Sequence, residues 1–189
     1  MPDRPRAPRG DPSRHLALDA LEAGARALPA PPRDDGTLAL IVRRRADGAR
    51  ETPPAVVLGA EGVPGDDWTR RPPRDADAQL AVMWQPLAAL VANGQPLTVF
   101  GDNLFVDLDL SRANLPAGTR LRVGEALVEV TPKPHDGCAA FRARFGADAL
   151  RFVQAPATRA LNRRGVYWKV VEPGAAAVGA AIRVVSRPA

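Results

Sequence analysis

Proline and glycine recur so often that no element of this chain has room to grow long. There are 20 prolines and 16 glycines among 189 residues. Proline fixes φ and removes a backbone donor, and glycine weakens any helix or strand it interrupts. Between the breaks, apolar residues alternate. In TLALIVRRR (37–45), Leu38, Leu40 and Val42 share one face. AVVL (55–58), QLAVM (79–83), an interrupted run over 98–107, VYWKVV (166–171) and AIRVV (181–185) read as further strands. Residues 120–123 and 126–131 form a hairpin across Gly124-Glu125. Many short strands with frequent turns predict a closed or nearly closed β-barrel with helices inserted between strands.

The helical segments are short. Leu16, Leu18, Leu21, Ala25 and Leu28 follow helical spacing, so residues 14–28 are expected to form an amphipathic helix, ended by Pro29-Ala30-Pro31-Pro32. Its apolar face suits packing on the main domain or on a second subunit. Residues 84–93, 139–145, 147–153 and 156–163 are the other helices expected, with a helical turn over 107–113. Residues 1–13 carry little to bury and are expected to be disordered. The organisation expected is a tail plus helix over 1–36 and a barrel domain over 37–189.

Net charge is +5, but the basic residues are dispersed and interleaved with 21 acidic ones. No basic–aromatic module is present, so a solvated surface is expected rather than specific nucleic-acid binding. No apolar run reaches the roughly 18 residues that a membrane helix needs. The single cysteine excludes an internal disulfide and a cysteine-rich zinc site, and suits a reducing cytoplasm. The two lysines, Lys133 and Lys169, lie outside any glycine-rich phosphate cradle, so no pyridoxal-phosphate chemistry is expected.

Chemistry concentrates in Pro132-Lys133-Pro134-His135-Asp136-Gly137-Cys138, followed by a helix-like run holding Arg142 and Arg144. Proline and glycine bar both strand and helix until the cysteine, so the thiol is expected at a strand-to-helix junction. Free N–H groups and nearby cations there favour a thiolate that attacks, carries sulfur or ligates a soft metal. Against this stands the small buried hydrophobe that a free cysteine often is. His135, three residues away, is a candidate base, hydrogen-bond partner or turn residue. Gly101-Asp102-Asn103 breaks its apolar run as a bulge or turn that aims side chains.

Several segments, in order, resemble the MOSC domain, the module named after the C-terminal part of molybdenum cofactor sulfurases. Gly62-Val63-Pro64-Gly65-Asp66 resembles the family's glycine-rich element, and Gly101-Asp102-Asn103-Leu104 its Gly-Glu-Asn-Leu element. Leu115 to Gly124 resembles the following turn and strand, and the segment ending in Cys138 and Phe141 the cysteine element. Arg164-Gly165-Val166, Pro173-Gly174 and Val178-Gly179 fit the closing strands, so the likeness spans roughly residues 55–185. Trp68 stands where relatives often carry histidine, Asp102 replaces glutamate, and His135-Asp136-Gly137 precedes the cysteine where Arg-Pro is frequent.

The resemblance implies a mainly β (α+β) fold: a distorted closed barrel of MOSC type with short inserted helices and an N-terminal helical extension. It implies molybdenum cofactor (molybdopterin), with Cys138 as persulfide carrier or as molybdenum thiolate ligand. Small stand-alone bacterial relatives reduce N-hydroxylated compounds. Cys138, His135, Asp102 and Asn103 are then the catalytic candidates, and Arg142, Arg144, Arg163, Arg164, Asp66 and Trp68 the cofactor-binding ones. A small-molecule substrate or sulfur donor and a redox partner protein are the implied partners. The alternative is a barrel that binds a cofactor, thiol conjugate or protein without turnover.

Overall fold

The computed structural model describes residues 8–70 and 74–188. Eleven strands are assigned among them: β1 Asp35–Ile41, β2 Arg43–Arg44, β3 Arg50–Glu51, β4 Ala55–Leu58, β5 Leu80–Trp84, β6 Leu104–Asp107, β7 Arg120–Val123, β8 Ala126–Val130, β9 Val166–Glu172, β10 Gly174–Ala177 and β11 Ala181–Ser186. Four α-helices join them: α1 Leu18–Ala27, α2 Gln85–Ala92, α3 Ala139–Phe145 and α4 Ala147–Gln154. Seven strands close a barrel in the order β1-β11-β7-β8-β9-β5-β6, with β4–β10 and β2–β3 as separate ribbons. Only β5 and β6 run parallel among the described barrel pairs. A parallel pair needs a crossover, which α2 supplies; left-handed Asn93 (φ 47°) and Gly94 then end that helix.

Alternation along the strands makes two cores. Leu80 and Val82 of β5 and Leu104 and Val106 of β6 point into the barrel, with Leu38, Leu121, Val128 and Trp168. Met83 and Phe105 point outward, where Phe100, Phe141, Phe145 and Phe152 pack beneath the helices. Burying each such side chain contributes roughly 1.5–3 kcal/mol. Leu21 of α1 joins this outer core, so the amphipathic face of the extension is covered within the chain.

Several local expectations are corrected. The strand expected over 37–45 breaks at Val42, whose N–H turns to the Asn103 carbonyl (2.7 Å). The helical turn expected over 107–113 is an irregular loop, held by Asp109 Oδ1 accepting from the Ser111 N–H and by Asn114 Nδ2 donating to the Asp109 carbonyl. The segment 156–163 forms a tight 3-10 turn over Pro156–Leu161. The N-terminal helix begins at Leu18 rather than at residue 14. Before it, the segment expected to be disordered is ordered from Pro8 onward. Asp11 caps a short turn over Pro12–Arg14, its N–H donates to Gln95 Oε1 (2.8 Å), and the Pro8 carbonyl accepts from Arg144 Nε (3.2 Å). The remainder of the expected tail, residues 1–7, lies outside the described residues, as do residues 71–73 of the polar loop.

Candidate functional site

A cavity of about 490 Å³ opens where β9, the segment before α3 and the turn at Gly101 meet. Cys138 stands on its wall as the residue preceding α3, and its side chain is exposed. Prolines at 132 and 134 end β8 and carry the chain across the barrel mouth, which brings His135 and Cys138 to the same space. The expectation of a thiol at a strand-to-helix junction is met, and the buried-hydrophobe reading is not.

Behind the thiol lies a buried polar cluster. Asp102 is fully buried, and both its oxygens accept from Arg164 Nη1 at 2.9 Å. The Arg164 guanidinium also rests 5.0 Å from the centre of the Phe141 ring. Gly165 makes this placement feasible. Its φ is +96°, and a Cβ there would sit 2.0 Å from the Val82 carbonyl oxygen. His135 Nε2 is 3.7 Å from Asp102 Oδ1, beyond a hydrogen bond, and the ring stacks on Tyr167 at 4.2 Å. Burial, reinforced by the charges of Arg164 and Arg44, holds the His135 pKa well below 6.5; the Val166 backbone opposes weakly. His135 is thus neutral at neutral pH, and its Nδ1 is buried without a hydrogen-bond partner. Burial also raises the Tyr167 pKa above 10.

A second pair closes the opposite wall. Arg44 binds Asp66 through Nε and Nη2 (2.6 Å), and its Nη1 donates to the Gly101 carbonyl (2.7 Å). Burial of Asp66 opposes its ionisation, but hydrogen bonds and charge from Arg44 outweigh it and hold the carboxyl below its usual range. Asn103 ties this pair to the barrel: Nδ2 donates to Asp66 Oδ2 (3.0 Å) and Oδ1 accepts from the Ala81 N–H (3.2 Å). Arg144 faces the cavity from α3, and Trp68 from the turn after Asp66. Lys133 hydrogen-bonds Asp75 across the rim.

The structure therefore brings together Cys138, His135, Arg144, Arg164 and Trp68 around one space, with Asp102 directly behind Arg164. Asp66 and Asn103 are buried supports rather than wall residues. Two expected cofactor ligands stand apart. Arg142 is exposed on α3 and does not line the cavity. Arg163 turns the other way, paired with Glu22 of α1 (2.6 and 2.9 Å) and stacked on Phe152. It borders a separate cavity of about 390 Å³ beneath α1. Sequence reasoning missed Arg44 and Tyr167 as wall residues. Arg44 is the middle arginine of an RRR run at a strand end, where alternation must turn one inward.

The sequence matches the family model of the MOSC domain over residues 66–183. The chain belongs to the MOSC family. This family is associated with molybdenum-cofactor binding and sulfur-related chemistry. Among solved structures, YiiM from Escherichia coli is similar at 22% identity and a TM-score of 0.56, over 81% of this chain and 71% of that one. The YUAD protein from Bacillus subtilis matches at 17% identity and a TM-score of 0.60, over 84% of this chain and all of that one (100%). Both likenesses give the same barrel fold. No curated protein matches the sequence.

The MOSC site suits the group its family is associated with. It offers one exposed thiol, a soft ligand, on a cavity of ordinary ligand size with guanidinium groups on several sides. Among the described residues no group of three or more His, Cys, Asp or Glu could hold a metal ion.

Proposed function

We propose that this MOSC protein uses Cys138 as the reactive sulfur of molybdenum-cofactor-linked chemistry. The observation that carries the reading is the exposed thiol on a cationic cavity backed by the buried Asp102–Arg164 pair. In one form of the reading the thiolate attacks the outer, sulfane sulfur of a persulfide donor; the donor's S–S bond breaks, the donor leaves as its thiolate, and Cys138 holds the sulfur as a persulfide. In the other it would be the protein's ligand to molybdenum, and the substrate is an N-hydroxylated compound whose N–O bond is cleaved with two electrons from a redox partner protein and two protons, the oxygen leaving as water. When bound, the cofactor supplies two-electron redox chemistry.

The chain's own residues have distinct tasks in either form. Arg44, Arg144 and Arg164 supply positive charge to the walls and bind anionic groups. Neutral His135, stacked on Tyr167, lines the same cavity as the thiol and offers a hydrogen-bonding ring nitrogen rather than a charge. Trp68 presents a flat face to an aromatic ligand.

The test is metal and sulfane-sulfur analysis of protein freshly purified from a cofactor-competent host. Molybdenum with pterin, or cyanide-labile sulfur, is expected in the wild type and absent from Cys138→Ala. Cyanide-labile sulfur without molybdenum selects the carrier form, and molybdenum with pterin selects the ligand form. Protein lacking both overturns the proposal.

A further inference from the structure

Arg144 reaches the cysteine cavity from the last turn of α3, yet what holds it comes from the far end of the chain. The Pro8 carbonyl accepts from Arg144 Nε at 3.2 Å. His15 Nε2 lies 3.2 Å from the Arg144 carbonyl oxygen, and its ring packs 3.0 Å from where a Cβ on Gly146 would stand. Between these contacts Gly10 lies so close to α3 that a Cβ there would fall 1.9 Å from the Arg144 carbonyl oxygen. Residues 8–15 thus form a strap across the back of Arg144.

The strap is itself anchored. Asn93 Nδ2 donates to the Arg14 carbonyl (3.1 Å), the Leu18 N–H donates to Asp148 Oδ2 (3.3 Å), and Leu21 is buried in the outer core. Pro8 holds Arg144 at Nε, and Nη1 lies beside Gly101 on the cavity wall, 3.7 Å from where a Cβ on that glycine would stand. Fixing a guanidinium in advance lowers the ordering cost of binding an anion, because that freedom is not lost on association.

We propose that the N-terminal strap is part of the cavity: Pro8, Gly10 and His15 are positioning residues that aim Arg144 at an anionic group on whatever reacts with Cys138. The inference rests on the cavity being the ligand site, but on neither molybdenum nor persulfide. A thiol-reactive probe therefore tests it separately from the proposed function.

The probes are a dianionic aromatic disulfide, 5,5′-dithiobis(2-nitrobenzoate), and a neutral one, 4,4′-dithiodipyridine, reacted with Cys138 at low and high salt. Gly10→Val and the double variant Gly10→Val/His15→Ala free the strap, the first without changing any charge. Release is monitored by trypsin cleavage after Arg14. The expected result at low salt is a loss of about three- to tenfold in rate with the dianion, shrinking at high salt, while the neutral probe stays within about twofold. Arg144→Gln gives the same selective loss, and adding Gly10→Val to it gives no more. Arg183→Gln, which removes a positive charge outside the cavity, leaves both rates in place. A freed strap with an unchanged dianion rate overturns the proposal. So does an equal loss with both probes, which would make the strap a general support. Should neither variant free the strap, dianion selectivity in Arg144→Gln unchanged from wild type overturns it.

Discussion

Arg164 and Asp102 are joined at the floor of the cysteine cavity, Nη1 lying 2.9 Å from each carboxylate oxygen. Both are more than nine-tenths buried. The pair brings a charge to the cavity wall without leaving a net charge in the interior.

Removing one partner leaves the other buried and uncompensated. Asp102→Ala is expected to cost about 3–5 kcal/mol in unfolding free energy. Replacing both partners by Leu and Met is expected to recover part of that loss, while still removing Arg164 from the cavity. Urea unfolding of the wild type and these two variants checks this.

His135 makes the protein acid-sensitive in a defined direction. Its native pKa is held well below 6.5, so the unfolded chain takes up a proton that the native chain refuses. The unfolded state then binds more protons, and stability falls as pH drops below about 6.5 until the native pKa is reached. The slope from this one group approaches about 1.4 kcal/mol per pH unit. Substituting His135→Asn is expected to flatten the stability profile between about pH 6 and 5, measured by denaturant midpoints across a pH series.

How much of this was legible beforehand depended on whether the signal was local. The alternation in β5, β8 and β9 and the prolines before Cys138 act within a few residues, and they forecast the strands and the junction where the thiol stands. Arg163 and Arg164 are the counterexample. They are chemically identical neighbours, yet one turns to Glu22 and the other to Asp102. Only barrel closure decides which side of the chain faces the cavity. The strap was hidden for a related reason. Its Pro, Arg and Asp composition reads as unstructured, and its anchors are contacts with residues 93–148, far away in sequence.

Gly165 follows the two arginines in a left-handed conformation pressed against β5. An alanine there meets both a φ of +96° and the Val82 carbonyl oxygen at 2.0 Å. Gly165→Ala is expected to destabilise by about 3 kcal/mol or more, since backbone strain and a clash with main-chain atoms add. Arg164 should move with it. A thermal melt records the first effect, and a changed rate of Cys138 alkylation records the second.

Asp66 acts from the opposite wall, and pH separates it from His135. Its carboxyl is held below the usual range near 3.8, chiefly by Arg44 against the cost of burial. The stability it contributes is present above that value and is lost only as pH falls through the lower native one. Asp66→Asn is expected to weaken the protein at neutral pH by about 3 kcal/mol or more, because Arg44 keeps its charge but loses its partner. The deficit should shrink below about pH 4, where the unfolded wild-type chain takes up a proton at Asp66 that the native chain refuses until lower pH. His135→Asn departs from the wild type elsewhere on the profile, because its effect sets in as pH falls below about 6.5, where the unfolded histidine takes up its proton. Denaturant unfolding of the two variants between about pH 3 and 7 distinguishes them, and Arg44→Met should restore part of the stability lost in Asp66→Asn by removing the stranded cation.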